Sequence, residues 1–154
     1  MWKTTKEQDQ EHAYEDKSKA YWENLYQAVL QEINGYNAGQ PPEAQLSVVD
    51  CLNAKEFMVQ HNQRAQSPTQ VSRIFEKQPH VIQIVCYVAQ DGPHDLELRL
   101  DADGNAEAYN NKARKNQTVE EVVTSIVRPL KKLGCVRSHE ADQSTSEPPD
   151  YGCL

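Results

Sequence analysis

No apolar run in this 154-residue chain is long enough to cross a bilayer, and acidic and polar residues follow Met1-Trp2-Lys3-Thr4-Thr5-Lys6 where a secretory leader would be hydrophobic. The expectation is a soluble, cytoplasmic chain that does not partner with a membrane. Glycine is scarce and nowhere forms a phosphate-cradling loop, and the chain contains neither G-x-S-x-G nor H-E-x-x-H. The four cysteines, at 51, 86, 135 and 153, include no close pair, which excludes a zinc ribbon, a redox Cys-x-x-Cys and a disulfide scaffold. Cys135 and His139 come nearest to metal spacing, but no second ligand pair lies close enough to complete a tetrahedral site. No metal and no cofactor is expected.

Positive charge is also in short supply. Lys and Arg total 16 against 23 Asp and Glu, a net charge of −7. Residues 1–17 contribute −2 and residues 135–154 contribute −3, so the part between them is nearly balanced and has no field to attract nucleic acid. Nucleic acid is therefore not an expected partner.

What is present is a sheet. Val81 to Ala89 is apolar or small at every position but Gln83, and it is fenced by Pro79 and by Asp91-Gly92-Pro93. Its length suits a strand, and a continuous β-branched run reads as a central strand covered on both faces. Leu46 to Leu52, Glu56 to His61 and Thr69 to Lys77 also have strand character. Leu96, Leu98 and Leu100 alternate with charged residues, Asp103-Gly104 signals a type I′ hairpin turn, and the return strand from Asn105 to Asn111 belongs near a sheet edge. Cys51 and Cys86 fall within apolar strands, where a reduced thiol acts as a small hydrophobe.

Helices flank these strands. Trp22, Leu25, Tyr26, Val29 and Ile33 form an apolar stripe that predicts a helix over Lys19 to Asn34, stopped at Gly35. Thr118 and Glu121 make a capping box that opens a second helix, with Val119, Val122, Val123, Ile126, Val127, Leu130 and Leu133 on its apolar face, a kink at Pro129 and an end at Gly134. The fold class is α+β: an N-terminal amphipathic helix, an antiparallel meander-like sheet of five to six strands, and a C-terminal helix kinked at Pro129. Residues 1–17 read as a mobile charged extension, 18–134 as a single domain, and 135–154 as a disordered acidic tail.

Few residues suggest chemistry. Asp101 to Glu107 resembles a calcium loop, but its glycine is fourth instead of sixth and its twelfth position is Lys112, so a hairpin turn explains it. Lys112, Arg114 and Lys115 precede the second helix, whose N-terminus favours an anion, and they are the candidate anion-binding residues; as solvated loop charges they need no ligand. A cysteine nucleophile would need a histidine beside Cys51 or Cys86, and His61 and His80 are the candidates to be brought there across the sheet. No catalytic residue is assigned.

Two function classes follow. The leading one is a non-catalytic binding or assembly module, offering a sheet face or edge to a protein partner or to a second copy. If both helices cover one face, either Ile82, Ile84, Cys86 and Val88 or Val81, Val85 and Tyr87 are left needing another cover. The competing class is a small-ligand-binding domain or enzyme, with a pocket between the sheet and the terminal helices that draws polar groups from Tyr26, His61, Arg73, His80 and Tyr87.

Overall fold

The computed structural model describes the backbone of residues 5–50, 55–88 and 92–143, and the side chains of residues 12–50, 55–88 and 92–133. Two helices bracket a sheet of seven strands: α1 (Thr5–Asn37), β1 (Leu46–Asp50), β2 (Glu56–His61), β3 (Thr69–Ile74), β4 (Val81–Cys86), β5 (His94–Leu100), β6 (Ala106–Asn110), β7 (Lys115–Gln117) and α2 (Val119–Gln143). A 3-10 turn over Pro42–Ala44 leads into β1. Every strand pairs antiparallel with its neighbour in sequence, so the spatial order is β1-β2-β3-β4-β5-β6-β7. The architecture is α+β. Among the described residues, no helix is long and apolar enough to cross a membrane.

Among the described residues the strand count is seven, not the expected five to six. The additional strand, β7, has no apolar residue to reveal it, and it forms because the chain reverses at Arg114, whose φ of 59° is the left-handed conformation this turn needs. Backbone pairing of Ala108, Tyr109 and Asn110 with Gln117, Asn116 and Lys115 then holds it. The hairpin between β5 and β6 also differs from expectation. Leu100 pairs with Ala106, Gly104 donates to the Asp101 carbonyl, and only Gly104 has a positive φ, 82°. This is a three-residue loop with glycine in the left-handed position, in place of a type I′ turn. Asp101 Oδ1 sets it by accepting the N–H groups of Asp103 and Asn105, at 2.8 and 3.0 Å.

Strand β4 is central by position, fourth of seven, but among the described residues only one of its faces is covered. Burial alternates along it: Ile82, Ile84 and Cys86 are buried while Val81, Gln83 and Val85 are half-buried. Both helices pack on the buried side, meeting Phe57, Val59, Val71, Leu96, Leu98 and Ala108. The α1 stripe of Trp22, Leu25, Val29 and Ile33 and the α2 stripe of Val122, Val123, Ile126, Val127 and Leu130 are buried there, as their periodicity predicts. Trp22 and Tyr26 both pack on the Phe57 ring, with centroids 5.5 and 5.2 Å away.

Helix ends differ from expectation in length. Helix α1 begins at Thr5, not Lys19, and the Tyr14 side chain ties its early part to the sheet. The Tyr14 hydroxyl donates to the Leu98 carbonyl at 2.6 Å and accepts the His80 N–H at 2.8 Å. At the other end, the Asn37 side chain accepts the Leu46 N–H and donates to the Leu46 carbonyl, both at 2.9 Å, clamping α1 to the first strand. Helix α2 passes through Pro129 without a break and continues beyond Gly134 to Gln143. Residues 144–154, and the side chains of Cys51, Cys135, His139 and Cys153, lie outside the described residues. The capping box forms as expected: Glu121 accepts the Thr118 N–H at 2.9 Å, and Thr118 Oγ1 accepts the Glu121 N–H at 3.1 Å.

Two stability predictions follow from these contacts. Tyr14→Phe removes the partner of a buried-strand N–H and of a carbonyl together, and should lower unfolding stability by about 1–3 kcal/mol in urea titration. An unchanged midpoint would mean that water replaces the hydroxyl. Thr118→Ala should cost about 1 kcal/mol at neutral pH. Bonding to the Thr118 backbone holds the Glu121 carboxyl below its ordinary range, so its capping contribution is present at neutral pH and is lost on acidification through that lowered value. Thr118→Ala keeps the backbone N–H that Glu121 accepts, so its cost should persist in acid, whereas the effect of Glu121→Ala should fade there.

Candidate functional site

The inner face of the sheet is apolar at its middle and polar at one end. Alternation places His94 on the same face as Leu96 and Leu98, and register sets it opposite Ile84. By the same rule Asn110 and Gln117 share the inner face of β6 and β7. Over these strands lies the stretch of α2 that carries Ser125 and Pro129, one turn apart. Between sheet and helix is a partly open cleft of about 380 Å³, lined by Ile84, Cys86 and Pro129 together with the polar residues His94, Asn110, Lys112, Gln117 and Ser125.

Asn110 builds the rim of this cleft. Its Oδ1 accepts the N–H groups of Lys112 and Ala113, each at 2.9 Å, which folds the β6–β7 turn. Its Nδ2 donates to Gln117 Oε1 at 3.1 Å, which points the Gln117 amide nitrogen toward donor duty. Ser125 Oγ donates back to the Glu121 carbonyl at 3.0 Å. Proline has no N–H, so Pro129 leaves the Ser125 carbonyl without its usual helical donor four residues on.

A second cluster lies at the opposite end of the inner face. The His80 ring stacks on Phe75 at 4.6 Å with an interplanar angle of 15°, and Tyr14 packs against His80, also at 4.6 Å. The Arg73 guanidinium approaches both the Phe75 and the Trp22 rings, 5.2 and 5.9 Å from their centroids. A shallow cleft of about 150 Å³ adjoins it, lined by Lys19, Lys55, Arg73, Phe75 and Glu76, in which Glu76 pairs with Lys55 at 3.8 Å.

These positions sort the residues singled out in the sequence. Arg73 and His80 come together on either side of Phe75, whereas Tyr26, His61 and Tyr87 are scattered. Tyr26 donates to Asp50 at 2.7 Å on the first strand. His61 is buried at the end of β2, its Nδ1 accepting the Gln63 N–H at 3.1 Å. Tyr87 is exposed on the outer face and donates to Gln70 at 3.3 Å. Lys112 edges the larger cleft, Arg114 occupies the turn, and Lys115 stands 4.0 Å from Glu121. The start of α2 is thus supplied with a carboxylate by its own capping box. The histidine that shares a cleft with Cys86 is His94, not His61 or His80. Its signal was legible, because the Leu96 and Leu98 alternation extends back to it. The remaining cleft residues gave no such signal, since Asn110, Gln117 and Ser125 read as ordinary loop and helix polarity.

The outer face carries the other half of each strand. Val49, Met58, Val81 and Val85 are half-buried, Ile74 is 37% and Tyr87 49% exposed, and no described element lies over them. Among them stand Glu56, Asp95, Glu97 and Glu107, opposed on this face by Arg99. Gln70 and Ser72 donate to Glu56 at 2.8 and 3.1 Å, Gln83 donates to Asp95 at 3.1 Å, and Arg99 pairs with Glu97 at 3.1 Å while lying 4.0 Å over the Tyr109 ring.

Burial lowers the His80 pKa from 6.5, with Arg73 and Lys19 adding to the effect and Glu15 opposing it. A lowered value means that the unfolded chain takes up the proton first, so stability is intact above about pH 6.5 and declines as pH falls below it. His80→Phe retains the stack and removes the proton site. Urea midpoints measured from about pH 7.5 to 5 should fall less steeply for this variant than for the wild type; parallel profiles would dissociate His80 from the acid response.

No protein-family model matches the sequence, and no curated protein or solved structure is significantly similar to it.

Proposed function

We propose that the chain is a non-catalytic binding module that presents the outer face of its sheet to a protein partner. The observation that carries this reading is the face of β4 over which no described element lies, where Val81 and Val85 stand half-buried with Met58 and Val49 beside them while both helices occupy the other side. A face of this kind is too apolar to be explained by solvation alone and too polar to be a core in waiting. Its charge selects the partner. Four carboxylates against one arginine favour a basic segment with apolar side chains, and disfavour a second copy, which would set like charges opposite one another.

The carboxylates are already oriented by amide and hydroxyl donors within the sheet, so little ordering is needed when a partner's lysine or arginine arrives. The test uses a fluorescent amphipathic Lys/Leu peptide and a matched Glu/Leu peptide. The expected outcome is salt-sensitive binding of the basic peptide, no binding of the acidic one, and a loss of about tenfold or more in a Met58→Lys/Val85→Lys double variant that melts like the wild type. Equal binding of both peptides, or binding unaffected by the double variant, would refute the outer face as the docking surface. Light scattering at high concentration should give a monomer, and a stable dimer abolished by the double variant would assign the face to self-assembly.

A further inference from the structure

One hydrogen bond at the edge of the β4–β5 ladder is made through a side chain. Val81 pairs with Glu97, so His80 and Leu98 are next in register, and the Leu98 N–H donates to the His80 carbonyl at 2.9 Å. An antiparallel pair of this kind exchanges two such bonds. Here the return bond runs through α1: the His80 N–H donates to the Tyr14 hydroxyl at 2.8 Å, and that hydroxyl donates to the Leu98 carbonyl at 2.6 Å. Two arrangements therefore satisfy the same backbone groups, one with the hydroxyl inserted and one with the His80 N–H closed directly on Leu98 once Tyr14 has withdrawn.

The His80 ring packs on both Tyr14 and Phe75, with centroids 4.6 Å from each, and it is buried with no hydrogen-bond partner for Nδ1. This environment suits a neutral imidazole, in which one nitrogen carries no proton. An imidazolium has an N–H on both nitrogens, and no acceptor meets the one on Nδ1. The charges facing the ring are Glu15 and Lys19 of α1 and Arg73 of β3, while Glu97 of β5 acts on the Tyr14 hydroxyl. Two cations thus stand against one carboxylate. Little else holds the helix here: between residues 12 and 17 Tyr14 alone is not exposed, Lys17 donates to Asn105 at the surface, and the buried apolar stripe starts at Tyr21 and Trp22.

We propose that Tyr14 and His80 form an acid-sensitive latch: protonation of His80 expels the Tyr14 side chain, frees the start of α1 from the sheet and lets the His80 N–H close on the Leu98 carbonyl. The opened form gives the imidazolium to water, and the ladder keeps both of its bonds. Because the opened form takes up its proton near the ordinary histidine value, opening gains as pH falls below about 6.5. The helix from Tyr21 onward stays packed through Trp22, Leu25 and Val29.

Amide hydrogen exchange of the full chain, read by mass spectrometry and corrected for intrinsic rates, tests the latch. From about pH 7.5 to about 5.5, protection over residues 12–17 should fall by up to about tenfold while residues 22–33 hold theirs, tenfold being the most that one proton allows over that range. His80→Phe keeps the ring contacts and should abolish the fall. Tyr14→Phe should leave residues 12–17 weakly protected at both pH values. Arg73→Gln removes a cation facing the ring and should shrink the fall, and it decides the matter alone if His80→Phe loses the protection of residues 22–33 that reports a folded chain. An undiminished fall in Arg73→Gln or His80→Phe, a fall confined to residues 75–78, a fall shared equally by residues 22–33, or none in the wild type would overturn the proposal.

Discussion

Competition of two apolar helix stripes for one sheet face is the constraint on which this structure depends. A seven-stranded meander has two faces, and the chain supplies two amphipathic helices, one at each end. Both bury their stripes on the same side, so the core forms a single layer between sheet and helices in which Trp22, Leu25, Phe57, Ile82, Leu96 and Ile126 meet. Each such side chain contributes roughly 1.5–3 kcal/mol on burial, far more than any surface pair in the molecule. The ion pair between Lys131 and Glu32, with Lys131 also over the Tyr36 ring, links α2 to α1 at the surface and adds little beside that burial. An outer face over which no described element lies is the consequence of this choice.

The elements that depend on apolar periodicity were legible in the sequence. The α1 and α2 stripes, the capping box at Thr118 and Glu121, and β2 over Glu56–His61 follow directly from residue spacing. What escaped were features held by backbone or by single polar contacts. Strand β7 is three polar residues recruited by pairing with β6. The early turns of α1 lack an apolar stripe, yet one hydroxyl, that of Tyr14, anchors them to two strands. The continuous apolar run in β4 was misleading for a physical reason: Val81 and Val85 look like core residues in sequence, and only the placement of both helices reveals that their face is open.

The candidate sites show the same division. Sequence reasoning gathers ligand-binding residues by type, as with Tyr26, His61 and Tyr87, but register disperses them over different faces and ends of the sheet. Arg73 and His80 are brought together because Arg73 lies near the end of β3, His80 immediately precedes β4, and both pack on Phe75. Lys112, Arg114 and Lys115 are adjacent in sequence but diverge once the turn is folded by Asn110, and the helix N-terminus they flank is satisfied by Glu121. A basic loop before a helix is thus a weak indicator of an anion site when a capping glutamate stands at the third helical position.

Pro129 ties the helix to the cleft beneath it. An interior proline costs a helix about 3 kcal/mol in an unsupported setting, through a lost hydrogen bond and a clash one turn back. Here it stands between Ile126 and Val127 on one side and Leu130 on the other, all buried, so packing on both flanks can hold the helix together across the defect. The same proline removes the helical donor from the Ser125 carbonyl and lines the cleft between sheet and helix. A residue with only a packing role could be alanine or leucine without loss of the helical bond. Proline at position 129 gives up a helical bond that packing alone does not require, and the buried residues on its flanks carry the helix across the gap.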